Sequence, residues 1–376
     1  MAGIYLHIPF CKKRCIYCDF FSTTCKEQKT AYIRALCHEL TDRKNYLKGE
    51  PIETIYLGGG TPSQLAKEDF EAIFSHIYKV YKVTPNAEIT LEANPDDLTS
   101  EYISMLRTFP FNRISMGIQT FQDSTLKLLQ RRHTAEQAIR AFQNCRTAGF
   151  RNISIDLMYG LPGETLASWK EDLKQALALH PEHISAYHLI YEEGTTLWQL
   201  REQHKLEEAD EDLSVSLFGT LIDSLTAAGY EHYEISNFCL PGFHSRHNSS
   251  YWTEKKYLGC GPSAHSYNGT SRQWNVASLN EYIRGISNGN PTFEVEELDL
   301  YTRYNDFVIT HIRTQWGMPL PKLRKQYGEE LYKYCLRMAT PHLQQGTLEI
   351  KNDTLKLTRK GVFISDGIMS DMLWVE

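Results

Sequence analysis

The chain has 376 residues, long enough to bury one large core and a smaller second one without disulfide support. Hydrophobic residues at 41%, charged residues at 23% and a net charge of −6 describe a soluble globular protein and argue against a nucleic-acid-binding surface. No apolar run reaches the roughly 18–20 residues that span a bilayer, and the first residues lack a secretory-signal layout, so a cytoplasmic protein without a membrane span is expected.

In chain order, short β-rich runs alternate with helical stretches. "IYLHI" (4–8) precedes an amphipathic segment near Ala31–Arg43, and "ETIYLGGG" (53–60) precedes "DFEAIFSHIYKVY", apolar at helical spacing. "AEITLEANP" (87–95) leads into a helix with Thr99 or Ser100 as N-cap. "RISMGIQT" (113–120), "NISIDLMYGLPGE" (152–164) and "HISAYHLI" (183–190) repeat the pattern. Six such units imply right-handed crossovers and a parallel sheet, short of the roughly 250 residues of a full eightfold barrel. The expected architecture is therefore α/β: an incomplete (β/α)6 TIM-type barrel over 1–230. A polar helical region near 207–228 ends it. A linking region rich in Gly, His and Trp follows over 231–297, and a small, mainly helical, winged-helix-like domain over 298–376 contains the hairpin-like "TLEIKNDTLKLT".

Each unusual cluster directly follows a strand: the cysteines after the first, "GGGTP" after the second, "EANP" after the third, "GIQTF" and "DLMYGLPGE" at the ends of the next two. In parallel β/α sheets ligands bind at the carboxyl ends of the strands, so five strand ends point at one site. Six of the nine cysteines are scattered singly, whereas Cys11, Cys15 and Cys18 fall within eight positions as C-x-x-x-C-x-x-C. Structural zinc ordinarily takes four ligands, and only strand-borne His7 offers itself as a fourth. Inert thiols rarely cluster in this way. An iron–sulfur cubane held by three thiolates leaves one iron open, which is what a reactive metal centre requires. "GGGTP" lacks the lysine of a phosphate-binding loop and, taken alone, reads equally well as a strand-to-helix turn.

C-x-x-x-C-x-x-C with Tyr17 before the last cysteine resembles the signature of the radical S-adenosylmethionine (SAM) superfamily. There, the open iron of a [4Fe-4S] cluster is chelated by SAM, and an electron from the cluster cleaves the sulfonium to a 5′-deoxyadenosyl radical. "YLHIPFCKKRCIYCDF", "GGGTPS", "LEANP", "SMGIQTF", "LQRRH" and "DLMYGLPGET" are together similar to oxygen-independent coproporphyrinogen oxidases and the related HemW-type haem chaperones, over about residues 3–275. The resemblance implies cluster ligation by Cys11, Cys15 and Cys18. It places Tyr5, Gly59 and Glu92 beside SAM, and Tyr17, Gly60, Thr61, Gln119, Arg131 and Asp156 around its adenosyl and ribose and a neighbouring second ligand. Glu92 and Asp156 can accept from an amine or from hydroxyls, and Arg131 can pair a carboxylate. Each of these polar residues, taken singly, reads at least as well as an ordinary hydrogen-bonded loop end.

Two features separate the branches. The oxidase carries a fourth cysteine where Phe20 stands, and an N-terminal extension before its cluster. "SRHNSSYW" (245–252) matches the H-N-x-x-Y-W motif of the chaperones. The resemblance thus implies haem contact by His247, with Tyr251 and Trp252 as apolar faces; without it, a structural histidine among aromatics would be the first reading. His244 and His265 are nearby candidates, and Cys260 reads as packing. The expected function is haem binding and delivery to an acceptor, of the respiratory-membrane kind by resemblance, with an electron donor as second partner. The alternative is oxidative decarboxylation of coproporphyrinogen III in porphyrin biosynthesis by a SAM-dependent oxidoreductase.

Overall fold

The computed structural model describes residues 2–290 and 292–375; residues 1, 291 and 376, which fall at or within the segments expected above, lie outside the described residues. Six strands, β1 (Ala2–Ile8), β2 (Ile52–Gly59), β3 (Val83–Ala93), β4 (Arg113–Gln119), β5 (Ile153–Tyr159) and β6 (His183–His188), pair in parallel and in sequence order. Their apolar content follows from being covered on both faces, as the largely buried "AGIYLHI" of β1 shows. Helices including Lys29–Asp42, Lys67–Val80, Ala135–Thr147 and Leu166–Leu179 carry the crossovers. Thr99 is the N-cap of the third crossover helix, its side chain accepting from Tyr102 N.

The region 231–297 does not stand apart as a linker. Its strands β7 (Glu231–Glu234) and β8 (Asn237–Cys239) extend the sheet antiparallel beyond β6. At the other edge β9 (Tyr257–Cys260) pairs parallel with β1, followed by β10 (His265–Tyr267), β11 (Ser271–Asn275) and β12 (Phe293–Glu297). Among the described residues the strand order β12-β11-β10-β9-β1-β2-β3-β4-β5-β6-β8-β7 has no pairing between its ends, so the barrel is an open one. The chain from about Tyr304 builds a second apolar core from helices Leu300–Ile312, Leu320–Gln345, Arg359–Val362 and Ser365–Asp371. A three-stranded sheet, β13 (Met318–Pro319), β15 (Thr354–Leu357) and β14 (Leu348–Lys351), completes this winged-helix-like unit.

Candidate cluster and cofactor site

The cysteine loop is held at both ends by main-chain bonds. Cys11 N donates to Thr23 O (2.8 Å) and Thr23 N to Pro9 O (2.7 Å), while Leu197 N donates to Ile16 O (2.9 Å). Ile16 is buried in a small apolar cluster with Leu129, Met158, Leu161, Leu189, Tyr191 and Leu197, which anchors the middle of the loop. Two residues past Cys18, Phe20 is 63% exposed.

Cys11, Cys15 and Cys18 open into a cavity of about 440 Å³ at the carboxyl ends of β1–β6. Tyr17, Gly59, Gly60, Thr61, Glu92, Gln119, Arg131 and Asp156 line it as well, so all but one of the residues expected around SAM meet there. The exception is Tyr5, which sits behind Tyr56 (ring centroids 6.1 Å apart) and bonds to His7 Nδ1 at 3.2 Å. The cavity also takes Tyr56, Asn94, Ser115, Gly117, Met158, Ser185 and Tyr187, which sequence reading passed over. A signal was present for three of them: Asn94, Gly117 and Met158 stand two residues from Glu92, Gln119 and Asp156, the period that puts side chains on one face.

The glycines are required by close approach. A Cβ on Gly60 would lie 2.7 Å from the Pro9 carbonyl carbon, and one on Gly59, whose φ is +103°, would lie 2.6 Å from the His7 ring. Gln119 holds a φ of +73° at an irregularity in the β4–β5 register, which re-aims its side chain at the cavity.

Two cysteine sulfurs are tied together through polar side chains from three other elements. Thr61 Oγ1 donates to Cys11 Sγ (3.3 Å), and Asn94 Nδ2 reaches Thr61 Oγ1 (3.4 Å). Arg131 donates to Asn94 Oδ1 (2.6 Å), to Gly117 O (2.5 Å) and to Cys15 Sγ (3.4 Å). Arg131 thus donates to three groups of the protein, and its buried Nε has no partner among the described residues. Hydrogen bonds onto sulfur stabilise thiolate, which is what a cluster ligand must be. Burial pushes the Cys18 thiol up to about 11, opposed by a backbone hydrogen bond from Phe20.

Glu92 accepts from Tyr56 Oη (2.7 Å) and Gly59 N (3.1 Å). Burial raises it to about 7, with Asp156 adding to the rise; burial likewise raises Asp156 to about 6, opposed by Arg113. A cavity holding two costly carboxylates, an orphaned guanidinium nitrogen and three thiols fits a cationic ligand beside a metal cluster. The donor set does not fit one zinc ion. Among the described residues, the group whose ligand atoms all lie within 4.8 Å of one another is Glu231, Cys239 and His244, so the three loop sulfurs are spread more widely than one ion needs. His7 offers them nothing: its Nε2 is bonded to Phe21 O at 2.8 Å.

The H-N-x-x-Y-W stretch forms a short helix, Arg246–Tyr251, capped by Ser245 and by Glu88, which accepts from Arg246 N (3.1 Å) and His247 N (2.9 Å). This helix separates three cavities. Asn248 faces the cysteine cavity; Arg246, Ser249 and Ser250 face one of about 400 Å³ at the amino ends of β1 and β2. Tyr251 and Trp252 face a third, of about 340 Å³, against the C-terminal domain. His247 faces none of them. Its ring is 1% exposed, stacked on Tyr56 (5.1 Å), with Nδ1 bonded to Thr54 Oγ1 (2.8 Å) and Nε2 to Tyr251 Oη (2.9 Å). Burial lowers it to about 3, so the imidazole is neutral, but neither nitrogen is available to iron as it stands. The histidine expected to contact haem is thus, in this conformation, a satisfied core histidine. The reason is tertiary: Thr54 lies 193 residues away in sequence.

Comparison with known proteins follows the same lines. The profile of the Radical SAM superfamily matches residues 5–176, and that of the HemN C-terminal domain matches residues 298–364. The chain is 32% identical over 376 residues to the heme chaperone HemW of Bacillus subtilis (strain 168), covering 99% of each. It is 33% identical over 370 residues to HemW of Lactococcus lactis subsp. lactis (strain IL1403), covering 98% of this chain and 96% of that one. The solved structure of coproporphyrinogen III oxidase (HemN) from Escherichia coli, a radical SAM enzyme, superposes with a TM-score of 0.86 at 23% identity, covering 99% of this chain and 89% of that one. That likeness establishes the shared fold.

Proposed function

The chain belongs to the HemW family of radical SAM proteins, and on that premise we propose that it is a haem chaperone that carries a [4Fe-4S] cluster, binds SAM and haem, and hands haem to an acceptor protein. The observation that carries the reading is the end-to-end similarity to HemW proteins, with Phe20 at the cavity mouth where the oxidase branch has a cysteine. Cys11, Cys15 and Cys18 are the cluster ligands. The cluster supplies an iron with an open coordination position. Around it, Glu92 receives the ammonium of SAM, Gly59 and Gly60 allow the close approach of the backbone, Asp156 and Gln119 face the nucleoside, and Tyr17 walls the cavity. No helix among the described residues is long and apolar enough to cross a membrane, so an acceptor in the respiratory membrane would be met from outside the bilayer.

SAM binding should depend on pH through Glu92. Its carboxyl is raised from 4.5 to about 7, so it is mostly protonated at pH 6 and charged at pH 8. Affinity for SAM should rise roughly tenfold between those pH values and then level off. Glu92→Gln should bind weakly with a flat profile; a flat profile in wild type would remove Glu92 from the ammonium site. The sign for stability is opposite. Glu92 and Asp156 hold protons in the folded chain that they lose when unfolded, so their contribution is present below about pH 4 and is lost as pH rises through about 6–7.

The function is tested by two anaerobic assays on the reconstituted chain. Haem titration should give a Soret band, and haem should pass to an apo-acceptor. Incubation with coproporphyrinogen III, SAM and reductant should give no sustained protoporphyrinogen; turnover there, without haem binding, would establish the oxidase instead.

A further inference from the structure

Away from the cysteine cavity, a second point of the fold brings sulfur, nitrogen and carboxylate oxygen together. Glu231 on β7 and Cys239 on β8 are direct partners in the antiparallel register, so their side chains rise on the same face of the hairpin. The chain then turns, with Phe243 N donating to Leu240 O (3.0 Å), and brings His244 back to them. His244 Nε2 meets Glu231 Oε2 at 2.9 Å, and the imidazole is held by ring contacts with Tyr233 (4.8 Å) and Trp316 (5.5 Å). One ligand atom each from Glu231, Cys239 and His244 lies within 4.8 Å of the other two.

A histidine–carboxylate pair near the surface is ordinary and worth little by itself. The sulfur makes the difference. Cys239 is 0% exposed, whereas Glu231 and His244 keep side-chain exposures of 36% and 26%, so the three form a pocket with a sulfur floor and a mouth open to solvent. Gln315 reaches the same point from the C-terminal part of the chain. Its main-chain N donates to Tyr233 O (2.9 Å), and its amide Nε2 lies 3.3 Å from His244 Nε2 and 3.5 Å from Glu231 Oε2. Half a turn of that amide presents its oxygen instead. The donor set selects the ion. A thiolate, an imidazole and a carboxylate suit zinc in tetrahedral coordination, while calcium and magnesium take oxygen ligands. Thiolate and carboxylate together also balance the charge of a dication, which a pocket with a buried floor requires.

We propose that Glu231, Cys239 and His244 bind one zinc ion, with the Gln315 amide oxygen or a water in the fourth position, and that the ion fastens the β7–β8 hairpin at the sheet edge to the C-terminal unit. The site shares no residue with the cysteine cavity and does not depend on the haem-chaperone reading.

The test is zinc uptake by the full-length chain after anaerobic reconstitution with iron and sulfide, so that Cys11, Cys15 and Cys18 do not compete for the ion. The protein is equilibrated with zinc chloride against a chromophoric zinc chelator and desalted, and its zinc and iron are counted. Wild type should retain about one zinc per chain without losing iron, and its zinc absorption edge should show a sulfur neighbour. His244→Ala and Cys239→Ala should each lower zinc affinity at least about tenfold while keeping their iron, which reports that they fold. Zinc should also raise the melting temperature of wild type and not that of His244→Ala, because an ion that binds only the folded chain stabilises it. Should the enclosed Cys239→Ala fail to fold, His244→Ala and Glu231→Gln, at half-exposed positions, decide the matter. The proposal is overturned if wild type retains no zinc, if the variants hold zinc as tightly as wild type, or if the edge shows no sulfur.

Discussion

Cys15→Ala is expected to leave the chain with roughly a tenth or less of the wild-type iron and sulfide after anaerobic reconstitution, and with no measurable SAM binding. Cys15 is the sulfur reached by Arg131, and Arg131 continues through Asn94 and Thr61 to the sulfur of Cys11. Removing Cys15 thus takes away one of three thiolates and leaves a buried guanidinium nitrogen without its acceptor. Losing a hydrogen-bonding partner of a metal ligand commonly costs 10–100-fold in affinity, and losing a ligand costs more. Cys25→Ala is the control: that thiol belongs to the same stretch of chain but is exposed and outside the cavity, and its loss should leave iron unchanged. Equal iron loss in both variants would mean that the loop, and not the triplet, is what matters.

The second large effect is on stability, and it falls on a residue that sequence reading did not single out. Glu39, on the helix Lys29–Asp42, is 1% exposed. Its two oxygens accept from Arg43 Nη1 (3.2 Å), Asn275 Nδ2 (2.8 Å), Gly261 N (2.8 Å) and Tyr282 Oη (2.7 Å). Arg43 is itself buried, and reaches Gly259 O (3.1 Å), Ser266 Oγ (3.1 Å) and Gln273 Oε1 (2.6 Å). The pair ties the first crossover helix to β9, β10 and β11, the strands that extend the barrel beyond β1. Glu39→Ala should destabilise the barrel by roughly 3–5 kcal/mol, because it leaves a buried cation without its counter-charge and the donors of Gly261 N and Tyr282 Oη without an acceptor. Replacing Glu39 by Leu and Arg43 by Met together should cost less than Glu39→Ala alone, since it removes the unpaired charge along with its partner. Chemical denaturation followed by circular dichroism measures both; a Glu39→Ala loss under about 1 kcal/mol would show that water satisfies the site.

Much of the site was legible because its chemistry is local. Cys11, Cys15 and Cys18 sit within one loop, and an alternation of apolar strand and helix forces each loop after a strand to one end of the sheet. Eight of the nine residues expected around SAM therefore met in one cavity. The ninth, Tyr5, missed because its face of β1 was right but its depth was not: it lies beneath Tyr56. Ser115, Ser185, Tyr56 and Tyr187 were hidden because serine and tyrosine carry no motif and no recognised site residue stands two positions away, whereas Gly117 and Met158 were readable from Gln119 and Asp156. The motif could say that residues 245–252 matter, but it could not say which of three cavities they serve.

What the sequence carried by itself was the parallel order of strands and helices, which follows from their alternation along the chain, and the meeting of the cysteine triplet with the other strand-end clusters, which follows from loops converging at strand ends; the superfamily came from the resemblance of those motifs. What only the tertiary structure decided was who meets whom across the fold: His247 against Thr54 at a separation of 193 residues, and Glu39 against Gly261, Asn275 and Tyr282 at 222, 236 and 243. Burial and the second partner of each polar group are set by such long-range contacts. A histidine written in a binding motif can therefore be satisfied inside the core while its neighbour three residues away faces a cavity.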